Sequence, residues 1–88
     1  MTKHELKCIR PFFADVLALR KTFEIRRNDR NFEIGDLLWL REYDVYREEL
    51  TGRSCRRIVT YMTSFQQQEG YVVLGIEPED AIKIPFRG

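Results

Sequence analysis

Lys21, Glu24 and Arg26 set the chemical question of this chain. Seven of the twelve residues from Leu19 to Arg30 are charged, and these three stand at a telling spacing. In an extended strand, residues two apart share a face, so Glu24 and Arg26 project together, roughly 7 Å apart along the chain. Lys21 lies just before them. A carboxylate between two cations fixes both by charge-assisted hydrogen bonds. Such a group offers several donors and one acceptor, the equipment for reading a base edge or a phosphate. Lys21 and Glu24 could also serve as an acid/base pair acting on a bound water. Arg30 extends the candidate ligand-binding set. Arg27, Arg53, Arg56 and Arg57 are candidates for a phosphate-binding path, although Arg-rich runs are more often solvated strand or loop. Glu42, Asp44, Glu48 and Glu49 would repel a nucleic-acid backbone, so that path should avoid them.

The elements that must position these residues follow from periodicity. His4 to Ile9 alternates, with Leu6 and Cys8 on one side and Glu5 and Lys7 on the other, the pattern of a half-buried strand. Pro11 fits the first turn of a helix, where its missing N–H costs nothing. Phe13, Val16 and Leu17 give that helix one apolar stripe, through about Arg20. From Thr22 the period changes to two, which places Phe23 and Ile25 in the core and Glu24 and Arg26 on the opposite face. Asn28 to Asn31 and Gly35-Asp36 carry turn chemistry. Leu37 to Leu40 reads as a strand buried on both faces, with Trp39 as core. Thr51-Gly52 falls between two strand-like runs and predicts a hairpin with a wide loop. Tyr71 to Ile76 is the last strong strand. The tail from about residue 79 either adds an edge strand through Ile82, Ile84 and Phe86, which could pair two copies, or stays loose.

One helix and five or six strands in 88 residues predict a single α+β domain over residues 1–88. Its strands should close into a small β-barrel with the helix beside the mouth. The apolar fraction of 43% and aromatic fraction of 12% suffice for one core. A third of the residues are charged but the formal net charge is only +1, which argues against a general polyanion binder and leaves room for a local basic site. The cations are biased to eleven Arg against four Lys, and the planar Arg fork suits phosphate, carboxylate and base edges. No apolar run resembles a signal peptide or membrane span, so a cytoplasmic protein with reduced thiols and no membrane partner is expected. His4-x-x-x-Cys8 lacks the paired spacing of a zinc site, and neither a metal nor a cofactor is expected.

The run Lys21-Thr22-Phe23-Glu24-Ile25-Arg26 resembles the signature of the ASCH domain superfamily, Gly-x-Lys-x-x-Glu-x-Arg, at the end of a helix entering a strand. Lys21, Glu24 and Arg26 match in type and spacing; Leu19 stands at the Gly position. His4-Glu5-Leu6-Lys7, Asn28-Asp29-Arg30, Gly35-Asp36 and Gly70 to Gly75 extend the likeness, which is to a bacterial and phage group of ASCH-like proteins and runs from His4 to about Glu77. The resemblance implies a PUA-like β-barrel with a helix beside a cleft, and RNA binding by the signature residues in that cleft. One branch of the superfamily removes an acetyl group from N-acetylated cytidine, using a Lys that matches Lys21 and a Thr nucleophile three positions later. Here that position is Glu24, so the hydrolytic set is incomplete. The leading expectation is therefore a module that binds RNA or a nucleotide. The alternatives are a small amidohydrolase-like enzyme acting on a modified nucleoside, and an interaction protein with a vestigial cleft.

Overall fold

The computed structural model describes residues 1–79. The expected tail strand and the pairing of copies through it lie outside the described residues. Within them the chain is α+β, running β1 (Lys3–Ile9), α1 (Arg10–Leu17), β2 (Phe23–Arg27), β3 (Leu37–Asp44), β4 (Glu49–Thr63) and β5 (Tyr71–Pro78). The five strands form one curled, half-barrel sheet in the order β1-β3-β4-β5-β2. β1 runs parallel to β3; the other neighbours are antiparallel.

Among the described residues the sheet curls into a half-barrel that no backbone ladder closes. β1 and β2 are the two edges of the sheet and share no ladder. Side chains span the gap instead: Arg26 donates from Nη2 to the Lys7 carbonyl at 2.8 Å, and Arg30 from Nη1 to the Glu5 carbonyl at 3.2 Å. Exposed strand edges carry unpaired carbonyls, and two guanidinium groups satisfy alternate ones along β1.

The helix is short, and an isolated helix of this length is marginal in water, so packing must hold it. Phe13 and Val16, one turn apart, are fully buried against the sheet. Pro11 sits in the first turn, as expected. The C-terminus closes in a Schellman motif: the Leu19 N–H donates to Val16 O at 3.0 Å and the Arg20 N–H to Asp15 O at 2.9 Å. That motif needs a left-handed residue, and Leu19 supplies it at φ +63°. Leu19 is thus the helix stop, at a steric cost that a glycine there would avoid.

Leu6, Cys8, Phe13, Val16, Phe32, Leu38, Leu40, Val59, Val72, Leu74 and Ile76 form the core. Two expectations for β2 are reversed: Phe23 and Ile25 are 41% and 52% exposed, whereas Glu24 is only 4% exposed. Trp39 is half-buried on the outer face, with the cations of Lys3 and Arg41 over its ring at 4.9 and 4.8 Å. The β3–β4 hairpin turns at Val45 to Glu48 and not at Thr51-Gly52. Asp44 holds that turn by accepting from the N–H groups of Tyr46 and Arg47 at 2.9 and 3.1 Å. The Arg47 bond is the main cause holding the Asp44 carboxyl below its ordinary range. Thr51-Gly52 lies within β4, where the register shifts and Gly52 takes φ +95°.

Buried His4 donates from Nε2 to Asp36 Oδ2 at 2.9 Å. Asp36 also accepts from the N–H groups of Thr2 and Glu33 at 3.1 and 3.0 Å, tying the start of β1 to the turn before β3. Burial pushes the Asp36 carboxyl up, but the hydrogen bonds from His4, Thr2 and Glu33 together outweigh it and hold the group low.

Candidate functional site

The Schellman turn delivers Lys21 to the corner where α1 hands over to β2. Its N–H donates to Asp15 O at 3.0 Å, which sets the backbone direction. The ammonium then reaches Glu24 Oε1 at 2.9 Å and the Phe23 carbonyl. From the other side Arg26 donates Nε and Nη2 to Glu24 Oε2 at 3.0 and 2.8 Å. The three residues singled out by spacing therefore meet in one cluster. The Glu24 side chain is 5% exposed, against 18% for Lys21 and 23% for Arg26. A nearly buried carboxylate is tolerable because each oxygen has a charged donor.

Cys8 completes the floor. Its thiol lies 3.9 Å from Glu24 Oε1 as a weak donor. Burial, then the negative charge of Glu24, push this thiol up to about 12, against the opposing pull of Arg26 and Lys21. At neutral pH it is a protonated thiol and not a nucleophile.

These side chains floor a cleft of about 410 Å³ that opens at the gap between β1 and β2. Ile9, Phe12, Phe23 and Ile25 form its apolar walls. The Phe12 and Phe23 rings flank the Lys21 ammonium, with centroids 5.6 and 4.7 Å away. The exposure of Phe23 that defeats the core reading is thus what makes it a wall. Arg26 and Arg30 both line a neighbouring cleft on the other side, together with Lys7 and Arg41.

The remaining arginines are placed elsewhere. Arg27 is exposed and packs its guanidinium over the Tyr71 ring at 5.6 Å. Arg57 is buried, donating Nη2 to the Val16 carbonyl at 3.1 Å, where it caps the helix end. Arg56 is paired with Glu79 at 3.6 Å. Arg53 lies over the Phe13 ring at 5.3 Å and 3.7 Å from Glu42. Strand alternation sends Arg56 to the face opposite Arg57, so the structure does not gather Arg53, Arg56 and Arg57 into one path.

Sequence reasoning gives Glu42 no role beyond repelling a nucleic-acid backbone, yet the structure makes it part of the interior. It is 2% exposed and accepts from Thr51 Oγ1 at 2.6 Å. The irregularity in β4 turns Thr51 and Arg53 onto it. The signal was the alternation Leu38, Leu40, Glu42, which continues the inward face of β3.

A half-barrel sheet, a short crossover helix and a Lys–Glu–Arg cluster around one buried carboxylate make this a small α+β domain with an apolar-walled cleft at its open edge. The chain belongs to a family of domains of unknown function, DUF3850, whose profile matches residues 3–76. It is 38% identical over 72 residues to an uncharacterized 12.9 kDa protein in the GpA 3′ region of Escherichia phage P2. The matched segment covers 81% of this chain and 64% of that relative. Among the described residues no helix is long and apolar enough to cross a membrane.

Proposed function

We propose that this domain is an ASCH-like, PUA-like module that binds RNA or a nucleotide, with one base held in the cleft at the α1–β2 corner. The observation that carries this reading is the pairing of apolar, aromatic walls with a polar floor already fixed in place. A volume of about 410 Å³ falls in the ordinary range of small-ligand sites, roughly 300–1,000 Å³. Phe12 and Phe23 offer faces for stacking a planar ring, the usual way an unpaired base is held. Lys21 and Arg26 keep N–H groups beyond those spent on Glu24, which would meet oxygens on the base edge. Glu24 accepts from both cations and holds them in place at the floor.

The hydrolase alternative uses the same residues but is less well served. Both Glu24 oxygens are engaged by cations, so neither is free to position a water without breaking an ion pair. Cys8 is held as a thiol.

The test is calorimetric titration of nucleosides, nucleotides and short RNA oligomers into wild type, Phe23→Ala and Glu24→Gln. Loss of one base-stacking ring costs about 1–3 kcal/mol, so Phe23→Ala should weaken binding roughly 5- to 150-fold. Because Phe23 is 41% exposed, the variant should remain folded. Equal affinity in all three proteins, or no binding of any of these ligands to wild type, refutes the assignment.

A further inference from the structure

The Arg26 guanidinium stands between two clefts. On one side is the aromatic cleft already described. On the other is a second, of about 560 Å³, walled by Lys7, Arg26, Arg30 and Arg41, with Glu5 as its acidic member. Lys7 and Arg26 line both. A chain whose formal net charge is only +1 therefore concentrates four cations at one place beside the aromatic cleft.

The way these cations are anchored is informative. Arg30 is fixed through Nη1 on the Glu5 carbonyl at 3.2 Å, and Arg26 through Nη2 on the Lys7 carbonyl at 2.8 Å. A carbonyl orients a guanidinium without neutralising it; Arg26 is also paired with Glu24 and keeps its Nη1 donors for a ligand. Among the described residues, neither Arg30 nor Lys7 forms an ion pair with a carboxylate. Lys7 instead lies over the Tyr43 ring at 4.6 Å. Arg41 uses Nη1 on Glu5 Oε2 at 2.7 Å and leaves its other donors. The two carbonyls belong to alternate residues of one strand, about 6–7 Å apart. The guanidinium groups are thus spaced to contact one tetrahedral anion from two directions. Donors held in advance on rigid backbone lose little entropy when the anion arrives.

We propose that the second cleft is a phosphate subsite, and that the site takes a nucleoside phosphate unit spanning Arg26, its base in the aromatic cleft and its phosphate between Arg26, Arg30 and Arg41. This rests on the base-binding reading of the first cleft and adds the chemical class of ligand: phosphate-bearing nucleotides, free or within a strand, in preference to nucleosides.

The experiment titrates the four common nucleosides, their 5′- and 3′-monophosphates, short oligomers and inorganic phosphate into wild type, Phe23→Ala, Arg30→Gln and Arg41→Gln at low salt. The monophosphate should bind at least tenfold more tightly than its nucleoside, and added salt should erode that advantage. Either Arg variant should remove most of the advantage while leaving nucleoside affinity within about twofold. Should Arg30→Gln fail to fold, Arg41→Gln carries the same comparison, because its pair with half-exposed Glu5 contributes little to stability. Equal affinity for nucleoside and monophosphate overturns the phosphate subsite and leaves the base cleft standing. Binding of monophosphate and inorganic phosphate alike, with no effect of Phe23→Ala, keeps the anion site and overturns the base reading. No binding of any probe overturns both. An oligomer that binds more tightly than the monophosphate identifies a strand as the source of the phosphate.

Discussion

Replacing Arg26 by Ala should destabilise the fold, although an arginine beside a glutamate on an edge strand would ordinarily contribute little. The guanidinium makes two bonds to Glu24 Oε2 and one to the Lys7 carbonyl across the β1–β2 gap. Leaving a buried charge without its partner costs about 3–5 kcal/mol. That is an upper bound here, because Lys21 remains on the other Glu24 oxygen at 2.9 Å. The Arg26 side chain is 23% exposed, so water can reach part of the vacated space. Loss of a single bond to a charged group costs about 1.5–3 kcal/mol, which sets the lower side. The expected loss is therefore on the order of 2–3 kcal/mol. For a domain of this size about 1 kcal/mol shifts the melting temperature by 4–8 °C, so Arg26→Ala should melt on the order of ten degrees lower or more. Arg26→Lys should recover part of this, since an ammonium can meet Glu24 but not Glu24 and Lys7 together. Urea denaturation of both variants, with Glu24→Gln completing a double-mutant cycle, measures the coupling. An Arg26→Ala protein within about 0.5 kcal/mol of wild type would refute the idea that this side chain closes the sheet.

Two further expectations concern the frame of the site. Leu19→Gly should stabilise by about 0.5–1 kcal/mol, because the left-handed helix terminus suits Gly and Leu19 is 56% exposed with little packing to lose; a lower melting temperature in the variant would contradict this. Asp36 and Asp44 are both held below their ordinary range, so the stability they contribute is fully present above the unfolded value of about 3.9 and is lost as pH falls through their lowered folded values. Melting temperature should drop steeply below about pH 4 in wild type and less steeply in Asp36→Asn, and parallel curves would show that the His4–Asp36 tie does not set the acid limit.

Some of this was legible in the sequence because local rules decided it. The alternation from His4 to Ile9 sets the inward face of β1, and Pro11 marks the helix start. The spacing of Lys21, Glu24 and Arg26 is enough to place them together. The orientation of β2 was not legible. Both phases of Phe23-Glu24-Ile25-Arg26 are self-consistent, one apolar and one charged. The choice between them rests on Lys21 at the helix corner and on the carbonyl of Lys7 across the gap, neither of which is encoded in the strand's own period. The β3–β4 turn was missed for a related reason. It has no Gly, Pro or Asn; the Asp44 carboxylate holds it, with Glu48 at φ +52°. Gly52, the residue that looked like a turn, serves an irregularity inside β4 instead. Arg57 looked like a surface cation and is buried because the helix end gives it a carbonyl.

The same residues hold the sheet together and wall the proposed site, and this makes the two roles separable by experiment. Phe23 contributes a ring to the cleft and little to the core. Arg26 contributes to the cleft, to the buried carboxylate and to the β1 edge. If the cluster only braces the open edge, Arg26→Ala and Glu24→Gln change stability, and Phe23→Ala changes nothing. If the cleft also takes a ligand, Phe23→Ala lowers affinity alone, while Arg26→Ala lowers affinity and stability together. Ligand binding then adds stability by mass action, about 2.7 kcal/mol at a hundredfold excess over Kd. That gain should shrink in Phe23→Ala even though its unliganded melting temperature stays near wild type. A wall residue that changes the liganded melt and leaves the free one unmoved cannot be explained by bracing.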